Sequence, residues 1–311
     1  NIRSKLVFQM YSEDLEAEHW QVLASSIQQE IKSGVSGIII THGTDTMQYT
    51  AAALSFMIQS PPIPIILTGS QRSSDRPSSD SALNLLCSAQ FIVNSGFNGI
   101  SICMHSSEEE DSCFILPASK TKKMHTSRRD SFRSINVLPY AKVFPNGNIE
   151  WISKPQAKSG EMKISAKFEK KIAILKIHPG FNPNLLDAYK KYKGLVIEAT
   201  GLGHLPVNET DKFTKHHKLL LAKLKNLASK IPVIITSSSP YGSTNLNVYS
   251  TGRDLLSAGL IPGHDMLTET AFIKLGWLLA NIKDKEQIRK EIQKSYSGEI
   301  SERIDNRTFL Y

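Results

Sequence analysis

The sequence predicts an α/β fold of two doubly wound, mostly parallel sheets, and three observations carry that expectation. Short apolar runs of strand length alternate with amphipathic stretches of helix length along most of the chain. A polar, lysine-rich stretch with Pro155 and Gly160 interrupts the alternation near the middle, as a linker would. The length, 311 residues, suits two domains at roughly 100–200 residues each. The expected organisation is a larger α/β domain over 1–155, a linker over 156–168 and a smaller α/β domain over 169–311.

The elements follow in order. Residues 6–10 read as a short strand. Residues 13–32 read as a helix, with Trp20, Leu23, Ile27 and Ile31 at spacings of three and four. The run 35–41 reads as a buried strand, and 48–59 as a helix ended by Pro61 and Pro62. Residues 63–68 form the next strand, Gly69 opens a polar loop, and 79–94 is a helix closed by Gly96. A strand at 99–105 follows. From 114 to 152 the pattern is irregular, except for a hairpin over 143–151 centred on Pro145-Asn146-Gly147-Asn148. Alternation resumes with strands at 172–178, 195–200 and 231–237. Helical segments are expected at 183–192, 214–229, 268–282 and 285–295.

Composition narrows the function classes. The apolar runs fall far short of the 20 or so residues that span a membrane, and no secretory leader is visible. The chain opens on Asn1 with a strand pattern already at residue 6, which suggests a fragment or a processed product. Cys87, Cys103 and Cys113 are odd in number and lack Cys-x-x-Cys spacing, so zinc and a disulfide framework are poorly supported. Reduced thiols in a cytoplasmic protein fit better. The net charge of +8 is concentrated in two stretches, 120–133 and 212–230. Each is either a solvated face or a contact for nucleic acid.

The candidate chemistry gathers at strand ends, where open α/β sheets bind ligands. Thr41-His42-Gly43-Thr44-Asp45-Thr46 follows an apolar run and presents a hydroxyl and a carboxylate, Thr44 and Asp45, side by side. A threonine hydroxyl needs a base or a cation to activate it. The same residues also suit a turn and a helix N-cap. Lys123 lies in Lys122-Lys123-Met124-His125-Thr126-Ser127-Arg128-Arg129-Asp130, and cations this dense favour a lysine that can act as a base, although an exposed lysine fits the spacing equally. Ser12 and Glu13 follow the first expected strand and suit either a cap or a ligand contact. The loop 69–80 holds more polar side chains than a plain connection needs, and Ser79 or Asp80 also suits a helix cap. Gly201-Leu202-Gly203-His204 is a weak dinucleotide signal, because Pro206 stands where a third glycine belongs.

Together these segments resemble the bacterial-type L-asparaginase and glutaminase family, and within it the tRNA-dependent amidotransferase branch. The carrying residues are 7–14, 41–53, 69–80 and 123–133, with Met266-Leu267-Thr268-Glu269-Thr270-Ala271 and Gly298-Glu299-Ile300-Ser301. The resemblance implies two α/β domains of the asparaginase/glutaminase type, the second Rossmann-like, and hydrolysis of a side-chain amide. Thr44 matches one of two catalytic threonines, Asp45 the carboxylate that binds the substrate's α-amino group, and Lys123 the lysine that works with Thr44. Ser12 and Glu13 match a pair at the substrate's α-carboxylate and α-amino ends. The other threonine belongs to a Thr-Gly-Gly-Thr turn on the first strand, a motif that does not occur in these residues. The chain is therefore expected to lack that strand and to be inactive alone.

The branch further implies that glutamine supplies ammonia for converting Glu-tRNA(Gln) to Gln-tRNA(Gln). It implies a partner, the amidotransferase's E subunit, that binds tRNA(Gln) and uses ATP and magnesium, and a homodimer within a heterotetramer. No cofactor or metal is expected in this chain. A free cytoplasmic L-asparaginase and a nonenzymatic scaffold are the other readings.

Overall fold

Strands that alternate with helices can pair in parallel, because each helix carries the chain back across the sheet. The computed structural model describes residues 1–156 and 160–310. In it the chain divides into two compact units, Asn1–Lys167 with the tail from Asp305, and Phe168–Ile304. Of the linker expected over 156–168, residues 157–159 lie outside the described residues.

The first unit runs α1 (Ala17–Lys32), β1 (Ile38–Thr41), α2 (Met47–Met57), β2 (Ile58–Gln59), β3 (Pro64–Thr68), α3 (Ser81–Asn94) and β4 (Gly99–His105). It continues with β5 (Cys113–Pro117), β6 (Thr121–Lys123), β7 (Phe132–Ser134), β8 (Ala141–Val143), β9 (Ile149–Trp151) and β10 (Lys163–Ile164). A six-stranded sheet has the order β1-β3-β4-β5-β8-β9. It is parallel from β1 to β4, where α2 and α3 make the crossovers. It is antiparallel from β4 to β9, because the connection 106–112 is too short to carry the chain back. β6 pairs with β7 as a separate hairpin, and β10 with β2.

β3 is buried along its whole length, which suits its continuous apolar run. Ile66 packs in a cluster with Leu83, Cys87 and Phe91 of α3. The alternation of a strand turns Ile65 and Leu67 to the opposite face. α2 contacts β3, β4 and α1 and is buried on nearly every side, as a helix apolar all round must be.

Three local expectations change. Residues 6–10 form no strand: Leu6 is 78% exposed, and no ladder partner reaches the segment among the described residues. It is held over α1 instead, where Arg3 and Lys5 pair with Glu30 and Phe8 meets His19 edge-on. The helix expected from 13 begins at Ala17, behind a 3₁₀ turn at Ser12–Asp14 and a capping box of Glu16 and His19. β1 is half-buried rather than buried, because it lies at the sheet edge and pairs with β3 alone among the described residues.

The second unit runs β11 (Ile172–Lys176), a 3₁₀ segment Pro183–Lys191, β12 (Gly194–Ala199), α4 (His217–Ala228), β13 (Val233–Ser237), α5 (Ser250–Ser257), β14 (Ile261–Pro262), α6 (Thr268–Asn281) and α7 (Lys285–Glu291). Its four-stranded sheet, β11-β12-β13-β14, is parallel throughout. Periodicity did not announce α5, which is only 8 residues long. α6 carries Lys274, whose Nζ lies 2.7 Å from Glu299, with both side chains fully buried. All three cysteines are buried and none is joined in a disulfide.

Candidate active site

The sequence ends β1 at Thr41 and then needs a tight passage into α2. His42 N donates to the Thr68 carbonyl (2.8 Å), so the ladder with β3 extends one residue past the strand. Two glycines permit the approach. A Cβ on Gly43 would lie 2.8 Å from the Ser12 Cβ, and one on Gly69 would collide with the His42 carbonyl oxygen. Ser12 is thereby packed against the turn, and the Thr46 hydroxyl donates to its carbonyl (2.6 Å). Beneath the turn, Trp20 Nε1 donates to Thr50 Oγ1 (3.0 Å), which lies 2.8 Å from His42 Nε2. His42 Nδ1 donates to the Gly43 carbonyl (2.6 Å). Burial pushes the imidazole below its ordinary value despite that carbonyl, which keeps the ring neutral.

The turn does not simply cap α2. Thr46 occupies the N-cap without a side-chain capping bond, and Thr44 and Asp45 are engaged elsewhere. Lys123, at the end of β6, is 79 positions from Thr44 and donates to its Oγ1 (2.9 Å). The same Nζ donates to Asp45 Oδ1 (2.6 Å). The lysine side chain is only 10% exposed, whereas Asp45 is 65% exposed. The Thr44 hydroxyl in turn donates to Gln71 Oε1 (3.4 Å). A cation, a hydroxyl and a carboxylate open to solvent thus meet at the ends of β1 and β6. Such a set can move a proton and grip an ammonium group.

The structure brings Ser12, Thr44, Asp45 and Lys123 to one neighbourhood, with Glu13 exposed on the turn beside Ser12. Gln71 and His42 belong there too. Gln71 is signalled in the sequence only through its loop, 69–80, by that loop's polar density and its share in the family resemblance, and His42 only as part of its motif.

The basic stretch 120–133 is not a free cationic face. Lys120 is buried. Arg128 and Arg133 both bond Asp130, and Arg129 pairs with Glu110 (2.8 Å). Burial alone would raise the Asp130 carboxyl, but the two guanidiniums outweigh it and hold the value at about 2. The residues 201–204 form a turn closed by a bridge between Thr200 and His204, with no helix opening from it, so the dinucleotide signal has no structural counterpart. Among the described residues, no group of three or more histidine, cysteine, aspartate or glutamate side chains is placed to hold a metal.

Comparison with known proteins agrees with this architecture. The N-terminal asparaginase family matches residues 1–157, and the glutaminase/asparaginase C-terminal domain matches 171–291. A relative from Thermococcus kodakarensis, named as the D subunit of glutamyl-tRNA(Gln) amidotransferase, is 45% identical over 100% of this chain and 69% of its own length. The protein of the same name from Pyrococcus abyssi is 44% identical over 97% of this chain and 67% of its own length. Among solved structures, the thermostable L-asparaginase from Thermococcus kodakarensis superposes with a TM-score of 0.88 at 31% identity, covering 97% of this chain and 87% of that one. L-asparaginase I from Vibrio cholerae gives 0.83 at 28% identity, over 94% of this chain and 84% of its own. Two α/β units in this order, each matched by the corresponding family domain, place the chain in the asparaginase/glutaminase family of amidohydrolases.

Proposed function

We propose that this chain is the glutaminase component of a tRNA-dependent amidotransferase, releasing ammonia from the glutamine side chain. The observation that carries the chemistry is Lys123 Nζ placed between Thr44 Oγ1 and Asp45 Oδ1. In its amine form Lys123 takes the proton of Thr44, and the threonine oxygen then takes the proton of the hydroxyl that attacks the amide carbon, which belongs to the other threonine that the resemblance implies and these residues do not include. The C–N bond breaks, the leaving nitrogen takes up the proton, and water completes the hydrolysis to glutamate and ammonia. Asp45, facing solvent, pairs with the substrate's α-ammonium. Ser12 and Glu13 meet its α-carboxylate and α-amino ends, and backbone amides at the start of α2 steady the developing oxyanion.

The choice of branch rests on the relatives named as amidotransferase D subunits, at 44–45% identity over nearly all of this chain. In this reading the ammonia goes to the E subunit, which binds tRNA(Gln), holds ATP and magnesium, and converts Glu-tRNA(Gln) to Gln-tRNA(Gln). This chain itself needs no cofactor, and it works in the cytoplasm as a homodimer within a heterotetramer. No described helix is long and apolar enough to cross a membrane. Because Asp130, Glu108 and Glu110 occupy the arginines of 120–133, tRNA is expected to be held chiefly by the partner.

The test is ammonia release from glutamine and from asparagine by the full-length protein, with and without the partner and Glu-tRNA(Gln). Glutamine-dependent formation of Gln-tRNA(Gln) supports the reading. Asparagine hydrolysis indifferent to the partner would assign the chain to the free asparaginases, whose solved structures it resembles in fold.

A further inference from the structure

We infer that Gln71 is a positioning residue of this site, tying the turn that carries Thr44 to the hairpin that carries Lys123. The inference rests on the catalytic reading of Thr44 and Lys123. Those two side chains come from segments far apart in the chain, and their contact of 2.9 Å depends on how the two segments are held. The Gln71 amide reaches both. Its Oε1 accepts the Thr44 hydroxyl (3.4 Å), and its Nε2 donates to Ser131 Oγ (2.5 Å). Ser131 lies on the β7 side of the hairpin, and its carbonyl accepts from Met124 N (2.7 Å), one residue beyond Lys123. One amide therefore bridges the two walls of the site, and only a side chain with a donor and an acceptor at this reach makes both bonds as they stand.

The bridge has a fixed base. Asp80 is fully buried, and its carboxylate accepts from Gln71 N (3.0 Å to each oxygen) and Arg72 N (3.0 Å). Asn84 Nδ2 donates to Asp80 Oδ2 (3.2 Å) and to the Gly69 carbonyl (2.9 Å), anchoring the start of the loop on α3. Gln71 thus projects from a clamped backbone rather than from a loose loop. Within 69–80, Asp80 thus builds the clamp, and the Ser79 hydroxyl adds a bond to the Arg72 carbonyl (2.9 Å).

The role is tested in the full-length protein with Gln71→Leu and Ser131→Ala. Gln71→Leu keeps the bulk and removes both bonds. It is expected to lower kcat about ten- to a hundredfold, the scale of a small misplacement of reacting groups, with KM within about twofold because Asp45 and Ser12 are untouched. Ser131→Ala cuts the same tie at its other end, so the double variant should be no slower than Gln71→Leu alone. Amide hydrogen exchange gives a readout independent of turnover. In either variant, exchange should quicken in 42–46 and in 121–134 together while the melting temperature holds. Parental kcat in Gln71→Leu, additive losses in the double variant, or faster exchange confined to 69–80 would each overturn the inference. A parent that releases no ammonia, yet shows the joint loosening in both variants, would count against the glutaminase reading and support the tie.

Discussion

Two lysine–carboxylate pairs of nearly equal length sit in this molecule in unlike surroundings. Lys123–Asp45 is 2.6 Å long and Lys274–Glu299 is 2.7 Å. The second pair is wholly enclosed and its bonding capacity is filled. Lys274 also donates to the carbonyls of Ile292 (2.8 Å) and Lys294 (2.5 Å), while Glu299 accepts from the amides of Tyr296 (3.0 Å) and Ser297 (2.7 Å). An ammonium with three donors spent on protein oxygens has nothing left for a substrate. It fastens the segment after α7 to α6. The first pair leaves its carboxylate 65% exposed and shares its lysine with a hydroxyl, so both can be rearranged by a ligand. Distance alone does not separate the two pairs; enclosure and saturation do.

The sharpest way to break the comparison is to remove each lysine. Lys123→Met, or Thr44→Val, is expected to cut ammonia release by about 10²–10⁴-fold, the range for a general acid–base group, with the melting temperature nearly unchanged. Activity within a few-fold of the parent would remove the pair from the mechanism. Lys274→Met should do the opposite. It strands the Glu299 carboxylate in the core, at a cost of about 3–5 kcal/mol, read as a large drop in denaturation midpoint. Lys274→Met combined with Glu299→Leu should recover part of that loss, because no buried charge then remains. If Lys274→Met is as stable as the parent, the pair is not the fastener described.

A smaller effect falls on Asp45. Asp45→Asn leaves a neutral amide where an α-ammonium would bind, so KM should rise about tenfold, on the order of 1.4 kcal/mol, with kcat less affected. Equal effects on both would mean that Asp45 chiefly orients Lys123.

The smallest effect is in pH. Burial opposes ionisation of Glu299, but Lys274 and the amides of Ser297 and Tyr296 outweigh it and hold the carboxyl below its ordinary 4.5. Asp130 is likewise lowered from 3.8 to about 2. A carboxyl lowered by folding stabilises fully above its unfolded value and loses that contribution as pH falls through the folded one. The melting temperature should therefore decline in two stages on acidification, first below about pH 6.5, where the unfolded state gains a proton that the half-buried His42 refuses, and then more steeply below about pH 5 as the two carboxyls lose their contribution. Glu299→Gln and Asp130→Asn should each flatten the acid side, and an unchanged slope in both would show that other groups set it.

The local pattern of the sequence determined the alternation, and with it most elements. β4 occupies the expected 99–105, and the hairpin at Pro145-Asn146-Gly147-Asn148 forms between β8 and β9. These depend on side-chain period and turn chemistry, which are local. The motif around Thr44 and the cationic run around Lys123 also stood out as residue types, and the family resemblance named them. What the tertiary structure alone decided is whatever needs a partner distant in the chain. Residues 6–10 have a strand's composition but no ladder among the described residues. Ile38–Thr41 has a buried strand's composition but an edge position. Lys120 belongs to a charged run and is nonetheless buried. The reach of Lys123 to Thr44, and of Gln71 to both walls of the site, depends on how β1, the loop after β3 and the β6–β7 hairpin converge. Pairing and burial are relations between segments, and a residue's neighbours in sequence do not contain them.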